Sequence, residues 1–126
     1  MAGNKRTAAI IGGGVIGSGW ATRFLLNGWD VRFFDPSDDA ERVLHAVIER
    51  GREAMPALCD VVPDEGTLTL AHSTADAVAG ASYIQESTPE RIEVKRAVLK
   101  RIQADCDSDA IVASSTSGFM LSLIHI

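Results

Sequence analysis

The 126-residue chain is poor in several things whose scarcity narrows its function. It has two cysteines, Cys59 and Cys106, far apart and in no CxxC or metal-ligand spacing. That argues against a disulfide framework and a cysteine-based metal site, and fits two buried or half-buried thiols in a reducing compartment. Basic charge is not in excess: twelve Lys+Arg stand against seventeen Asp+Glu, a net charge of −5. A nucleic-acid-binding face would leave a basic patch, so no such partner is expected. No apolar run approaches the roughly 18–20 residues of a membrane span. Lys5-Arg6 precede an apolar stretch in the manner of a secretory signal, but Gly12-Gly13-Gly14, Gly17 and Gly19 interrupt it. A secretory apolar core is less broken and ends in a small-residue cleavage site, so a cytoplasmic protein without membrane partners is expected. The few histidines, His45, His72 and His125, have no metal spacing. Solvated or packing roles are expected for His45 and His72.

What is present is ordinary globular composition, 46% hydrophobic and 23% charged. The length allows one domain, large enough to bury a core without a disulfide or structural metal. Thr7–Ile11 reads as a short buried strand that stops at the glycines. Apolar residues at Ile16, Trp20, Phe24 and at Ala21 and Leu25 follow the helical period, and Asn27-Gly28 ends it. Val31–Phe34 is a second strand, closed by Asp35-Pro36. Ser37 or Asp38 caps a helix with the stripe Val43, Leu44, Val47 and Ile48, bounded by Pro56. Thr67–Leu70 is a third strand, and Ser73 to Gly80 a short helix. Ser82–Gln85 is a fourth strand. Thr88-Pro89 is expected to start a helix carrying Val94, Val98 and Ile102 on one face. Ala110–Ala113 is a fifth strand. Strands alternating with helices in this way specify an α/β fold, a doubly wound parallel sheet of the Rossmann type.

The strongest motif is Gly12-Gly13-Gly14-Val15-Ile16-Gly17, which contains G-x-G-x-x-G. In a dinucleotide site the first glycine permits the tight turn, and the second admits backbone to the pyrophosphate. The third lets helix pack on strand. The following helix offers unpaired N–H groups and a partial positive charge, so no basic residue is needed. Alone the motif is weak, since glycine-rich turns also serve as plain connections. Here a strand precedes it, a helix follows it and an acid ends the next strand. That acid, Asp35, comes 18 residues after Gly17, close to the usual separation of about 20. Its carboxylate can accept from both adenosine ribose hydroxyls and would repel a 2′-phosphate. Arg32 is out of phase with it along the strand, and Pro36-Ser37 supply no arginine, so NAD is favoured over NADP. The plainer role for Asp35 is a turn residue before proline.

Two more segments follow the fourth and fifth strands, Gln85-Glu86-Ser87-Thr88-Pro89-Glu90-Arg91 and Ser114-Ser115-Thr116-Ser117-Gly118. Both fall on the ligand edge of a doubly wound sheet, although helix capping and polar loop chemistry would also account for them. With the glycine turn, Asp35 and Lys95, these segments resemble the NAD-binding half of the 3-hydroxyacyl-CoA dehydrogenase family. The resemblance spans residues 6–119. Its wording is most like the branch that oxidises carnitine, with the gulonate-oxidising branch slightly further away. Members acting on acyl-CoA tend to have Asn where this chain has Ser115.

The resemblance implies that Glu90 and Lys95 lie along the nicotinamide-ribose side of NAD. It also implies that Ser117 meets the reacting oxygen of a small 3-hydroxy acid. A hydroxyl can donate to a ketone or accept from an alcohol, but it is no base at neutral pH. In the family a histidine paired with a glutamate takes the proton, in a segment expected roughly 20 residues beyond Ser117. His125 is too close to Ser117 and lacks that pattern. The expected NAD-binding domain is therefore residues 1–119, incomplete. Residues 120–126 match nothing that should follow and read as appended sequence, with a natural apolar strand or helix end as the alternative. By the resemblance, the C-terminal helical domain that supplies most of the substrate pocket and the contacts of a homodimer in the family is expected to be missing from these residues. Three functions remain open: a piece of a carnitine-oxidising enzyme, a 3-hydroxyacyl-CoA dehydrogenase, or a non-catalytic dinucleotide-binding module. The fragment is expected to turn over poorly and to expose apolar surface that the rest of the protein would cover.

Overall fold

A computed structural model describes residues 6–115. Five strands and four helices alternate along them: β1 (Thr7–Ile11), α1 (Gly14–Leu26), β2 (Asp30–Phe34), α2 (Ala40–Leu58), β3 (Leu68–Leu70), α3 (Thr74–Val78), β4 (Tyr83–Glu86), α4 (Ile92–Asp105) and β5 (Ile111–Ser114). All strand pairs are parallel, in the order β3-β2-β1-β4-β5. The chain winds outward from β1 through β2 to β3, then returns to β1's other side. The winding reverses between β1 and β4, which is where open α/β sheets bind ligands.

Strand alternation divides the core in two. Ile10, Val31 and Phe33 face Ala21 and Leu25 of α1 and Leu44 and Ile48 of α2. Ala9, Ile11 and Ile84 face the other way, against Ala77 and Val78 of α3 and Leu99 and Ile102 of α4. Helix α1 lies close on α2, where the Cβ of any residue other than glycine at position 51 would stand 2.6 Å from Thr22 Cγ2 and 2.9 Å from Leu26 Cδ1.

The register brings the ligand edge into line. Ile11 sits opposite Phe34 on one side and Glu86 on the other, and Glu86 opposite Ser114. Four strands thus end in one row, and the chain after each emerges on the same edge. Outer strand β5 leaves Ile111 and Val112 exposed, and Val15, Ile16 and Trp20 of α1 are exposed as well.

Two helix boundaries and one helix face differ materially from the sequence reading. Helix α2 runs through Pro56 to Leu58. The proline falls in its last turn, so only one backbone bond is forfeited. Helix α4 starts at Ile92, not at Thr88-Pro89. The Thr88 N–H, which would have begun it, donates to the Glu86 carboxylate at 2.6 Å. The buried face of α4 is Lys95, Leu99 and Ile102, while Val94 and Val98 turn toward a cleft on the ligand edge. Among the described residues, no helix is long and apolar enough to cross a membrane, and no group of three His, Cys, Asp or Glu is placed to hold a metal ion. Both cysteines are half-buried free thiols.

Candidate dinucleotide-binding site

The turn between β1 and α1 is built from backbone alone. Gly12 has a φ of +94°, and a Cβ there would stand 2.6 Å from the Ser87 carbonyl. Both the dihedral and the close approach therefore demand glycine. A Cβ on Gly17 would collide with the Gly12 carbonyl oxygen, so the third glycine is what lets α1 seat against the turn. Gly14 also has positive φ, but a Cβ there would meet nothing within 4 Å. The space beside it is open.

No side chain caps α1, and its first turn carries no acid. The leading N–H groups, those of Gly14, Val15 and Ile16, have no acceptor within the helix. They combine with the helix dipole to favour an anion at that spot.

Asp35 faces this turn. Its Oδ2 accepts from Gly13 N–H at 2.6 Å, and its Oδ1 accepts from Ser37 N–H at 2.7 Å. The turn-residue role and a ligand-facing role are thus both available to one carboxylate. Each oxygen keeps a lone-pair direction for a further donor. The nearby arginines are engaged elsewhere. Arg32 caps the far end of α3 through the carbonyls of Ala77 and Ala79. Arg42 pairs with Asp39 at 2.7 Å. His45 is exposed beside Glu41, and the backbone N–H of His72 donates to Asp76.

A cleft of about 730 Å³ joins Gly12–Gly14 and Asp35 to Ser87, Thr88 and Pro89. That is ample for a cofactor-sized ligand, given the usual range of roughly 300–1,000 Å³. Phe34, Val94 and Val98 add apolar wall. The residues fit a dinucleotide: an uncapped helix start for the pyrophosphate, a carboxylate for a ribose and an apolar wall for a base.

Beneath the 87–91 loop lies an arrangement that motif reading missed. Glu86 and Lys95 side chains are fully buried and paired at 2.9 Å. Lys95 Nζ also donates to the Thr88 carbonyl at 2.9 Å and lies 3.5 Å from the carboxylate of Glu90. The other Glu86 oxygen accepts from Ser114 Oγ, and Thr88 Oγ1 joins its backbone N–H on Oε2. Burial pushes the Glu86 carboxyl up, but hydrogen bonds from Ser114, Thr88 and Lys95 outweigh it and hold the group below the ordinary glutamate value. On the opposite sheet face, Tyr83 O–H donates to Gln85 Oε1, and Gln85 Nε2 donates to Ser115 Oγ at 2.6 Å. Ser115 Oγ in turn lies 3.0 Å from Ser87 Oγ. The Glu86–Lys95 pair had one sequence signal, two opposite charges nine residues apart on facing elements.

The structure therefore brings together Gly12, Gly13, Gly14, Asp35 and the loop bearing Glu90. Lys95 sits under that loop with no exposed surface, while Glu90 is half-exposed. Ser117, His125 and the 120–126 tail lie outside the described residues.

Residues 7–125 match the 3-hydroxyacyl-CoA dehydrogenase NAD-binding domain. The chain belongs to that family. As a member, it binds NAD through this domain, the cofactor its glycine turn and Asp35 fit. It is 56% identical over 114 residues to the L-carnitine dehydrogenase/betainyl-CoA thioesterase of Ruegeria pomeroyi, covering 90% of this chain and 23% of that protein. It is 51% identical over 112 residues to the L-carnitine dehydrogenase of Mesorhizobium japonicum, covering 88% and 31%. This family member thus spans about a quarter to a third of those two proteins. Among solved structures, the NAD⁺-dependent 5-formyl-3-hydroxy-2-methylpyridine 4-carboxylic acid 5-dehydrogenase superposes with a TM-score of 0.82 at 32% identity, over 95% of this chain and 40% of that one. The 3-hydroxybutyryl-CoA dehydrogenase of Escherichia coli shares the fold, with a TM-score of 0.77 at 24% identity over 96% and 26% of the two chains.

Proposed function

We propose that this chain is the cofactor-binding part of a longer NAD-dependent dehydrogenase that oxidises the C3 hydroxyl of carnitine. The observation that carries the substrate is the 51–56% identity to proteins named L-carnitine dehydrogenase. NAD supplies the hydride acceptor when bound. In this reading Gly14, Val15 and Ile16 present backbone N–H groups to the pyrophosphate, and Asp35 accepts from the adenosine ribose. Gly12, Gly13 and Gly17, whose own N–H groups are engaged within the turn and its neighbours, shape the approach. Glu90 is the half-exposed acceptor for the nicotinamide ribose. Lys95 serves that end of the cleft through its hold on Glu90 and the Thr88 carbonyl. Ser117 hydrogen-bonds the reacting oxygen.

The remaining step is removal of the hydroxyl proton. It needs a base titrating near neutrality, and a serine hydroxyl is not one. We place that base, a histidine paired with a glutamate, in a longer parent protein. The domain reading carries over: residues 1–119 belong to the cofactor domain, and the parent forms a homodimer around a small-molecule site.

The test is a side-by-side assay of the 126-residue chain and its full-length parent, with NAD and either carnitine or 3-hydroxybutyryl-CoA. NADH production from carnitine by the parent alone is expected. Turnover of the thioester instead would assign the acyl-CoA substrate. Turnover by the 126 residues would refute the placement of the base.

A further inference from the structure

The Glu86–Lys95 pair is costly to bury, and burial alone contributes nothing the fold could not obtain from two apolar residues. Its place suggests why it is there. Glu86 ends β4 in the row shared with Ile11 and Ser114. One of its oxygens takes both donors of Thr88 and the Lys95 ammonium, and the other takes Ser114 Oγ. Lys95 returns a bond to the Thr88 carbonyl. Both polar ends of the Thr88 backbone unit are therefore held by one buried ion pair.

The loop so held is the roof of the cleft. The Ser87 backbone packs so tightly on Gly12 that no Cβ fits between them, and Ser87, Thr88 and Pro89 line the space beside Gly14. A movement of Thr88 would either press on the glycine turn or open the cleft above it.

We propose that Glu86 is a positioning residue for the dinucleotide site. It fixes the 87–91 loop over the glycine turn, and Lys95 neutralises the buried charge this requires. The proposal rests on NAD occupying this cleft. It predicts that the acceptor oxygens of residue 86, rather than its charge, set cofactor affinity.

The test compares two double variants by NADH fluorescence titration, with melting curves alongside. In Glu86→Gln with Lys95→Met no charge is left unpaired, and the amide oxygen still accepts from Thr88. Whatever NADH affinity is lost with the Lys95 contacts to Glu90 and Thr88 is lost in both variants, so this one sets the reference. In Glu86→Met with Lys95→Met the core is equally uncharged but Thr88 loses its acceptor. Binding weaker than that reference by about tenfold or more is expected, on the scale of one buried hydrogen bond left unmade. Equal affinity in the two variants would overturn the proposal. Should the second variant fail to fold, Thr88→Val removes only the hydroxyl bond to Glu86. About threefold weaker NADH binding is then expected, and unchanged binding would overturn the proposal. A parent chain that binds no NADH would instead defeat the cofactor reading itself.

Discussion

The two loops that meet at the cleft are made in opposite ways. The glycine turn uses no functional side chain: it is shaped by positive φ at Gly12 and Gly14 and by the contact of Gly17 with Gly12, and it offers bare N–H groups. The loop facing it is held by side chains, chiefly a carboxylate and an ammonium that never reach solvent. A backbone-built site tolerates no added atom, whereas a side-chain-built site tolerates no removed one. Substitutions should therefore fail in opposite directions on the two sides.

The largest effect is expected at Lys95→Met, which leaves the Glu86 carboxylate enclosed without a cation. Urea unfolding should show a loss of about 3–5 kcal/mol, and a loss below about 1 would mean the pair is not buried as described. On the other side, Gly17→Ala adds one methyl group against the Gly12 carbonyl. It should cost roughly 1–3 kcal/mol in the same measurement. Gly19, also in α1, is its contrast, because a Cβ there meets nothing within 4 Å. Gly19→Ala should stabilise the protein by roughly 0.4–1 kcal/mol. A methyl group tolerated equally at both positions would break the comparison.

Acid titration sharpens the side-chain half. The folded-state pKa of Glu86 is depressed below its ordinary value of 4.5. Its contribution is thus fully present above that pH and is lost as pH falls through the depressed folded value. The stability gap between the parent and Glu86→Gln should be constant near neutrality and narrow below about pH 4.5. A gap independent of pH would mean that ionised Glu86 gains nothing from Lys95, Thr88 and Ser114. The smallest effect is expected at Arg42→Ala, which removes an exposed ion pair with Asp39. No change in melting temperature or NADH binding should be detectable.

The same contrast explains what could be read in the residues. Strand β1 and the glycine turn were legible because their signals are local: an apolar run, then glycines at a spacing that backbone sterics impose. Asp35 was legible because it ends the neighbouring strand. The start of α4 was misread because Thr88-Pro89 has the local chemistry of a helix start. A residue two positions earlier captures the Thr88 N–H, and local propensity yields to that bond. Lys95 was placed along the cofactor by the family resemblance, and nothing local reveals that its ammonium pairs with buried Glu86. The face of Val94, Val98 and Ile102 followed the helical period, but its members divide: Ile102 is core, while Val94 and Val98 wall the cleft, Val98 packing against the core as well. In each case the missing information was which strand lay next to which.

The most direct measurement is a titration of the 126-residue chain with NADH and NADPH, repeated on Asp35→Ala. The account predicts saturable binding of NADH, weaker binding of NADPH, and a loss of about tenfold in NADH affinity on removing the carboxylate. An Asp35→Ala chain that holds NADH as tightly as the parent, or a parent that prefers NADPH, would contradict it.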